Sequence, residues 1–200
     1  MRLRVLDRGH RLRHRIALTI IRVASRTEPD PVAKVSFYRP QLFGSPWLKL
    51  AESVMRGPSE WSEAERELLG AFVSRLNDCP FCVGIHTAIA EHRLDESVSA
   101  ARLDRWREGE FGPRLTAAFA LLERVAADPA SIGPDDVELA RAAGLSNAAL
   151  SDALFVGFVF NTVNRLANAF GFGWETEADR IKLGRSLDRI GYHVPSLLLR

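Results

Sequence analysis

The sequence has no apolar run long enough to cross a membrane. Near the N-terminus, residues 16–21 are apolar apart from Thr19, but Arg15 and Arg22 bound this short segment. A bilayer span needs about 20 apolar residues, and a secretory signal also needs a longer uninterrupted stretch. We therefore expect a cytoplasmic protein with no transmembrane segment.

Linker-like stretches and alternating strand patterns are also missing. Glycine, proline and capping residues instead separate segments of helical periodicity, which is typical of an all-α fold. With 200 residues and 46% hydrophobic content, the chain can build one sizeable core. We predict an all-α protein with a basic N-terminal arm at residues 1–30 and a single helical domain at residues 31–200.

The net charge is nearly balanced, but the charges are unevenly distributed. The first 26 residues contain eight arginines and one acid, so this arm carries a formal +7 and the rest of the chain −5. The arm lacks the interleaved aromatic residues of a nucleic-acid-binding surface, so we expect no nucleic-acid partner. Leu12, Ile16, Ile20 and Val23 recur at helical spacing. They predict an amphipathic helix that packs on the body or on a neighbouring subunit, with a membrane surface as the alternative.

Capping signals predict where several helices begin. Ser62 is reinforced by Glu65, three residues later, as in a capping box. Between these helices, residues 34–44 are predicted to have irregular structure. The predicted N-caps are Ser45, Ser62, Asp78, Asp95 and Ser146.

The chain has only two cysteines, and they are three residues apart. His86 follows Cys79 and Cys82, and on one helix, at about 100° per residue, the three side chains lie within about 60° of each other. A thiol attacks as its thiolate, and a base, a cation or a helix N-terminus nearby lowers its pKa. In a cytosolic protein such a pair is more often catalytic or metal-binding than structural.

Glu67 can join this site only if the chain turns back before the first cysteine. In one continuous helix, twelve residues would separate the two by roughly 18 Å. Asn77, Asp78 and Pro80 instead indicate that one helix stops and another starts. With an antiparallel return, Glu67 should meet His86 before it meets either sulfur.

These four residues resemble the signature of a known enzyme family. Glu67, Cys79, Cys82 and His86 have the Glu-x11-Cys-x-x-Cys-x3-His spacing of the AhpD-like alkylhydroperoxidases in the carboxymuconolactone decarboxylase superfamily. Residues 160–171 are similar to the peroxidase-related branch of that family. The resemblance extends over residues 35–190 and leaves the first thirty unmatched.

The resemblance implies an all-α homo-oligomer, as a dimer, trimer or hexamer, that reduces small hydroperoxides without a cofactor or metal. Cys82 would be the peroxidatic thiol, Cys79 the resolving thiol, and Glu67 with His86 the proton relay. A dithiol reductant, such as a lipoyl-bearing or thioredoxin-like protein, would reset the disulfide. Some relatives have a histidine where this chain has Phe81, so a second histidine is missing from the relay.

Three other functions stay open from the residues alone. The same four side chains could bind zinc, although structural zinc sites usually contain more thiolates. A lactone decarboxylase or related lyase of the same fold would not use the dithiol. A non-catalytic redox sensor would cycle its disulfide but react slowly with peroxide.

Two further features call for partners that the sequence does not identify. Asn161, Asn164, Arg165 and Asn168 lie on one helix face within roughly 100°. Buried polar side chains need partners, and we expect Arg165 to pair between two helices. The active-site carboxylate, the backbone near the dithiol and a subunit interface are the other candidates. The three leucines at residues 197–199 are expected to dock on a neighbouring subunit.

Overall fold

The computed structural model describes residues 1–25, 28–174 and 176–192, and all regular structure in these ranges is helical. The described α-helices are, in chain order, α1 (Val5–Arg8), α2 (Leu12–Ser25), α3 (Pro31–Tyr38), α4 (Pro40–Phe43), α5 (Ser45–Arg56), α6 (Glu63–Leu76), α7 (Pro80–Leu94), α8 (Ala100–Asp104), α9 (Gly112–Ala127), α10 (Pro134–Ala142), α11 (Asn147–Phe170) and α12 (Glu177–Ile190). The all-α prediction is confirmed.

The main core forms where α6, α9 and α11 pack together. The rings of Phe72 and Phe119 stack with centroids 4.2 Å apart, and Trp106 meets both edge-on. The buried indole N–H of Trp61 donates to the backbone oxygen of Ala149 at 2.8 Å. These contacts fix α6, and α6 carries Glu67.

The helices around α7 place the predicted site between them. α6 and α7 form a tightly packed hairpin, α12 packs along α7, and α11 crosses both α6 and α7. Asp188 of α12 forms an ion pair with Arg93 and a hydrogen bond with Nδ1 of His92 at the end of α7. The C-terminal helix is therefore held directly over the hairpin.

Apart from Arg39 and Gly44, residues 34–44 are helical, so the prediction of irregular structure is wrong. α3 begins after Asp30, which accepts a hydrogen bond from the backbone N–H of Ala33 at 2.9 Å, and Pro31 is its first residue. Pro40 likewise begins α4. The signal was present, because a capping aspartate followed by proline marks a helix start.

The arm helix α2 packs on the body through a different face from the predicted one. Ala17 is buried against Phe37 and Leu48, because its small side chain lets the helix backbone approach these large residues. The prediction that the other face packs on the body is wrong, because its four residues are 53–72% exposed. They are Leu12, Ile16, Ile20 and Val23.

The other predicted caps are partly confirmed. Ser62 forms the expected capping box with Glu65, and Ser146 caps α11. Ser45 lies inside the first turn of α5, whose N-cap is Gly44. Asp95 ends α7 in a left-handed conformation, and Ser99, not Asp95, caps α8.

Two surface predictions have different outcomes. Within the described residues, no single helix is long and apolar enough to cross a membrane, and α10 with α11 meets those criteria only as a pair bent by 114°. The predicted docking of residues 197–199 lies outside the described residues.

Candidate functional site

The turn between α6 and α7 places the first cysteine at a helix N-terminus. Asp78 has a positive φ of 48° and belongs to the turn, so the prediction that it caps the helix is wrong. Cys79 is the N-cap of α7 instead, and its backbone N–H donates to the backbone oxygen of Ser74 at 2.9 Å. This bond closes the hairpin and places Cys79 where unpaired helix N–H groups favour negative charge.

Glu67 and His86 meet across the hairpin, as the antiparallel return predicts. The Nδ1–H of His86 donates to Oε2 of Glu67 at 2.6 Å, and the carboxylate is fully buried. Because Nδ1 is engaged, Nε2 is the ring nitrogen left to exchange a proton. The pair thus has the arrangement of an oriented imidazole base.

Two further residues hold Glu67, and the sequence did not identify either of them. Arg56, at the end of α5, forms an ion pair with Oε1 at 2.6 Å. The hydroxyl of Tyr192 donates to both carboxylate oxygens, at 2.9 and 3.2 Å, and lies 3.3 Å from Nδ1 of His86. The Arg56 guanidinium also stacks 5.0 Å above the Tyr192 ring. Three partners therefore surround one buried carboxylate.

These contacts set the charges of the cluster. Burial raises the pKa of Glu67, but the His86 hydrogen bond and charge and the Arg56 guanidinium outweigh it, so this pKa falls below its usual range. Burial and the neighbouring carboxylate raise the pKa of Tyr192 well above its ordinary value. Near neutral pH, Glu67 is thus ionised and Tyr192 is a neutral donor.

The two cysteines are reduced and in direct contact. Their sulfurs are 2.9 Å apart, too far for a disulfide bond of about 2.05 Å, and both side chains are buried. The hydrogen-bonding contact with the Cys82 sulfur lowers the pKa of Cys79 from 9.0 to about 7; burial opposes this shift, and the backbone N–H groups of Cys82 and Phe81 and the Asn164 side chain support it. The same sulfur contact and burial raise the pKa of Cys82. When the dithiol loses its first proton, the charge therefore lies on Cys79.

The structure forms two pairs, Glu67 with His86 and Cys79 with Cys82, but does not join them directly. Within the described residues, the imidazole is hydrogen-bonded to Glu67 and Tyr192 and to neither sulfur. A proton that passes between the dithiol and His86 therefore needs a carrier, and one water is the simplest.

The asparagine face of α11 lies against this hairpin. Asn168 donates to the backbone oxygens of Asn77 and Asp78, just before the dithiol. Arg165 is exposed and donates to the oxygens of Asn161 in its own helix, so its predicted role between two helices is wrong. Asparagine amides make that connection instead, and the backbone near the dithiol is one of their partners.

Aromatic rings shape both ends of the site. Phe160 meets the His86 ring edge-on at 4.5 Å, and this close approach needs Gly70, where a Cβ would lie 2.4 Å from Phe160. Phe81 packs on Phe172 and Trp174. The position where some relatives have a histidine is therefore part of an aromatic wall in this chain.

A cleft of about 450 Å³ opens beside Cys79. Pro80, Val83 and Val98 give it apolar walls, and Arg180 at its edge is paired with Glu177. Cys82 does not line it. A molecule that enters the cleft therefore reaches the Cys79 side of the dithiol.

The zinc alternative receives no support from the side-chain arrangement. The described residues contain no group of three or more histidine, cysteine, aspartate or glutamate side chains placed to hold a metal ion. Glu67 faces His86, Arg56 and Tyr192 and not the sulfurs. The four residues therefore form two pairs and not one ligand set.

Comparison with known sequences identifies the matching family. Residues 41–124, which contain all four predicted site residues, match the model of the Carboxymuconolactone decarboxylase family. The chain is 27% identical over 114 residues to the uncharacterized protein YdfG of Bacillus subtilis (strain 168), and the alignment covers 56% of this chain and 78% of that protein.

Two solved structures share the fold. An uncharacterized peroxidase-related protein from Ralstonia eutropha JMP134, described as an alkylhydroperoxidase AhpD core, superposes with a TM-score of 0.74 over 90% of this chain and 93% of its own. An uncharacterized peroxidase-related protein from Silicibacter sp. TM1040 gives 0.71 over 82% and 85%. Both are 21% identical to this chain, so the likeness is one of fold.

Proposed function

Because the chain belongs to the AhpD-like carboxymuconolactone decarboxylase superfamily, we propose that it is a thiol-dependent peroxidase that reduces small hydroperoxides. The observation that carries this proposal is the reduced, buried dithiol with sulfurs 2.9 Å apart, on the same hairpin as the Glu67–His86 pair. A dithiol at this distance can form a disulfide after only a small movement, without unfolding either helix.

In the proposed reaction, the Cys82 thiolate attacks the terminal oxygen of the hydroperoxide. The O–O bond breaks, the alkoxide takes up a proton and leaves as an alcohol, and Cys82 becomes a sulfenic acid. Cys79 then attacks this sulfur, and a disulfide and water form. A lipoyl-bearing or thioredoxin-like dithiol reduces the disulfide by exchange.

The proton movements follow from where the charges rest. Since Cys79 carries the charge once the dithiol has lost its first proton, it is the nearest acceptor for the Cys82 proton, and the transfer exposes a thiolate on Cys82. The proton that the alkoxide needs comes from solvent: Nε2 of His86 accepts it from water, and the imidazolium, paired with Glu67, passes it to the alkoxide through one water. Glu67, held by Arg56 and Tyr192, keeps the imidazole oriented throughout.

A lyase related to the decarboxylase that names the family is the second candidate. Its support is the family match itself. It predicts turnover without added dithiol and without change in the cysteines. A redox sensor, in contrast, would form the disulfide with peroxide but turn over slowly.

A thiol count before and after one equivalent of cumene hydroperoxide tests the proposal, with intact mass and zinc content taken on the same sample. We expect two thiols and two hydrogens to be lost, and dithiothreitol to restore both. Unchanged thiols would contradict the peroxidase function, and stoichiometric zinc in the same sample would assign the cysteines to a metal site.

Serine variants test the two roles. Cys82→Ser should abolish turnover, since no sulfenic acid can form. Cys79→Ser should allow one oxidation per chain and then stall, because no partner resolves the sulfenic acid. Equal residual turnover in both variants, or a single oxidation only in Cys82→Ser, would contradict this assignment.

A further inference from the structure

We propose that α2 binds the surface of an anionic lipid bilayer. The apolar side chains on its outward face would enter the bilayer interface, and its arginines would bind the lipid headgroups. The outward face, here called the outer stripe, consists of Leu12, Ile16, Ile20 and Val23. This interaction does not involve the dithiol, so it stands or falls separately from the proposed peroxidase function.

The helix α2 has two apolar faces, whereas a helix on the surface of a globular protein typically has one. The inner face contains Ala17, Leu18 and Ile21, which pack with Phe37 and Leu48 of the body. At about 100° per residue, the centre of the outer stripe lies about 150° around the helix from the centre of the inner face. The outer stripe is therefore not used in packing on the rest of the described chain, and its exposure indicates a partner outside it.

Arginines border the outer stripe on both sides. On a helical wheel the stripe covers about 80°, Arg13 lies about 20° beyond one edge, and Arg15, Arg22 and Arg11 lie about 60–100° beyond the other. All four are exposed. Arg22 pairs with the exposed Glu28, whereas Arg11, Arg13 and Arg15 form no ion pair within the described residues. These three guanidinium groups are available to an anionic partner.

An anionic bilayer complements both features of the helix. Amphipathic surface helices bury their apolar face about 5–10 Å into the boundary between headgroups and acyl chains. Arginine side chains beside that face can extend toward the headgroups and bind phosphate oxygens with two parallel hydrogen bonds. Residues 8–25 contain no acid, so no side chain of α2 repels the negative surface.

A second copy of the chain complements α2 less well. Pairing of two outer stripes would bring two sets of arginines together, and like charges across an interface oppose binding. The exposed side chains of Leu154, Phe155 and Phe158 on α11 offer an apolar surface without an acidic border in their own helix. Asp152 is the only acid of α11, and its carboxylate accepts a hydrogen bond from Ser59 at 2.6 Å. Charge complementarity therefore favours the bilayer.

The test is co-sedimentation of the purified protein with sucrose-loaded lipid vesicles. Vesicles of phosphatidylglycerol mixed equally with phosphatidylcholine provide the anionic surface, and pure phosphatidylcholine vesicles are the uncharged comparison. We expect binding to the anionic vesicles in about 0.02 M sodium chloride. Binding should be at least about tenfold weaker to phosphatidylcholine, and also in about 0.5 M salt, which screens the attraction.

Two matched pairs of exposed residues test the outer stripe. Leu12→Ser with Ile20→Ser changes side chains that are 72% and 61% exposed. We expect about tenfold weaker binding to anionic vesicles, because less apolar area enters the interface. The control is Leu139→Ser with Ile190→Ser on α10 and α12, where the side chains are 71% and 65% exposed, and its binding should be unchanged. Circular dichroism should show wild-type helicity in both, since all four positions are on the surface.

A third variant tests the charges. Arg13→Gln with Arg15→Gln should weaken binding to anionic vesicles by about fivefold per arginine, because each basic side chain near an anionic surface contributes to the attraction. Binding to phosphatidylcholine should not change. Arg13→Lys with Arg15→Lys keeps the charge and should restore most of the binding.

The outcomes also separate the bilayer from a second copy. No sedimentation with anionic vesicles overturns the proposal, and so does equal binding in the Leu12→Ser, Ile20→Ser variant and its control. Light scattering without vesicles gives the other test: a lower mass in that variant alone would assign the outer stripe to a second copy and overturn the bilayer.

Hydroperoxide turnover, measured on the same wild-type sample, is an independent readout. Vesicle binding without turnover sustains this inference and contradicts the peroxidase function. Turnover without vesicle binding does the reverse.

Discussion

At the scale of single residues, the charge of the dithiol depends on a sulfur contact of 2.9 Å and on the start of one helix. Cys79 has the lowered pKa because its sulfur lies 2.9 Å from that of Cys82 and because it is the N-cap of α7, where backbone N–H groups favour its thiolate. From the resemblance alone, attack is assigned to Cys82 and resolution to Cys79. The structure adds that Cys79, the cysteine assigned to resolution, has the lower pKa of the two.

The first prediction concerns the pH dependence of the thiols. Because the pKa of Cys79 is lowered from 9.0 to about 7, the alkylation rate of the reduced wild type should rise with a midpoint near 7. At one pH unit below the midpoint, about a tenth of the dithiol is ionised and the rate should fall about tenfold. In Cys79→Ser the remaining thiol is buried and should react only at higher pH. A wild-type midpoint near 9 would refute the lowered pKa.

A second prediction concerns the phenol that holds Glu67. Tyr192→Phe removes one hydrogen bond to a buried carboxylate, so the orientation of His86 becomes less well defined. We expect kcat for hydroperoxide to fall about tenfold, the cost of one charged hydrogen bond, with KM unchanged. The only other tyrosine, Tyr38, packs on His10, so Tyr38→Phe is the control. If the two variants have the same kcat and the same dependence of kcat on pH, Tyr192 has no role in orienting the Glu67–His86 pair.

The residues that sequence reasoning found are those close together in the chain. Glu67 and His86 lie nineteen residues apart on one hairpin, so helical geometry was enough to pair them. Arg56 was not singled out, since nothing in its local pattern distinguishes it from a surface arginine. Tyr192 lies 125 residues from Glu67. Only the packing of α12 brings it to the site.

At the scale of elements, the sequence predictions fail where a helix has more than one candidate packing face or more than one candidate N-cap. Helical spacing predicts that α2 packs through Leu12, Ile16, Ile20 and Val23. In the structure these side chains are exposed, and Ala17 packs on the body instead. A helical wheel shows that a helix has an apolar face but not which neighbour covers it. Asp78 was chosen as a cap because of its residue type, whereas the turn needed a residue that tolerates positive φ.

A third prediction tests the contact between α7 and the loop before α12. A methyl group at Gly84 would lie 2.2 Å from Cη2 and 2.8 Å from Cζ2 of Trp174. Gly84→Ala should therefore lower the free energy of unfolding by about 1–3 kcal/mol, measured by urea denaturation. Gly173→Ala, with no atom within 4 Å of the added carbon, should change it little.

A double-mutant cycle gives the decisive comparison for this contact. Phenylalanine lacks the two indole carbons that the methyl group would meet. The cost of Gly84→Ala should therefore be smaller in a Trp174→Phe background than in the wild type. The same cost in both backgrounds would show that the clash is not with the indole.

At the scale of the whole molecule, α2 and α11 each carry several exposed apolar side chains among the residues that the structure describes. Leu154, Phe155 and Phe158 of α11 are 40–54% exposed, in addition to the outer face of α2. Contiguous apolar patches are uncommon on monomers. The predicted homo-oligomer stays a prediction, and we expect the α11 patch to be its contact because two exposed aromatic rings lie on one face.

The fourth prediction tests that contact by light scattering. The wild type should have at least twice the mass of one chain, and Phe155→Ser with Phe158→Ser should shift it toward one chain. Ile16→Ser with Ile20→Ser on α2 is the matched comparison. A monomeric wild type would contradict the homo-oligomer, and dissociation only in the α2 variant would contradict the choice of surface.

Most of the fold could be predicted because its signals are local. The capping box at Ser62, the cap at Ser146 and the stop at Asn77 act over three or four residues, so they can be read from the sequence directly. Spacing alone also placed Cys82 and His86 on one helix, although Cys79 lies at its N-cap and not inside it. Backbone geometry makes these relations nearly independent of the rest of the molecule.

Only the tertiary structure decided how charge and protons are arranged at the site. Arg56 and Tyr192 reach Glu67 from α5 and from beyond α12, because burial drives those elements onto the α6–α7 hairpin. The lowered pKa of Cys79, in contrast, comes mainly from the nearby Cys82 sulfur and from backbone N–H groups at the start of α7, while burial opposes it. The contacts of Arg56 and Tyr192 with Glu67 depend on the packing of the whole chain, and no local sequence pattern specifies them.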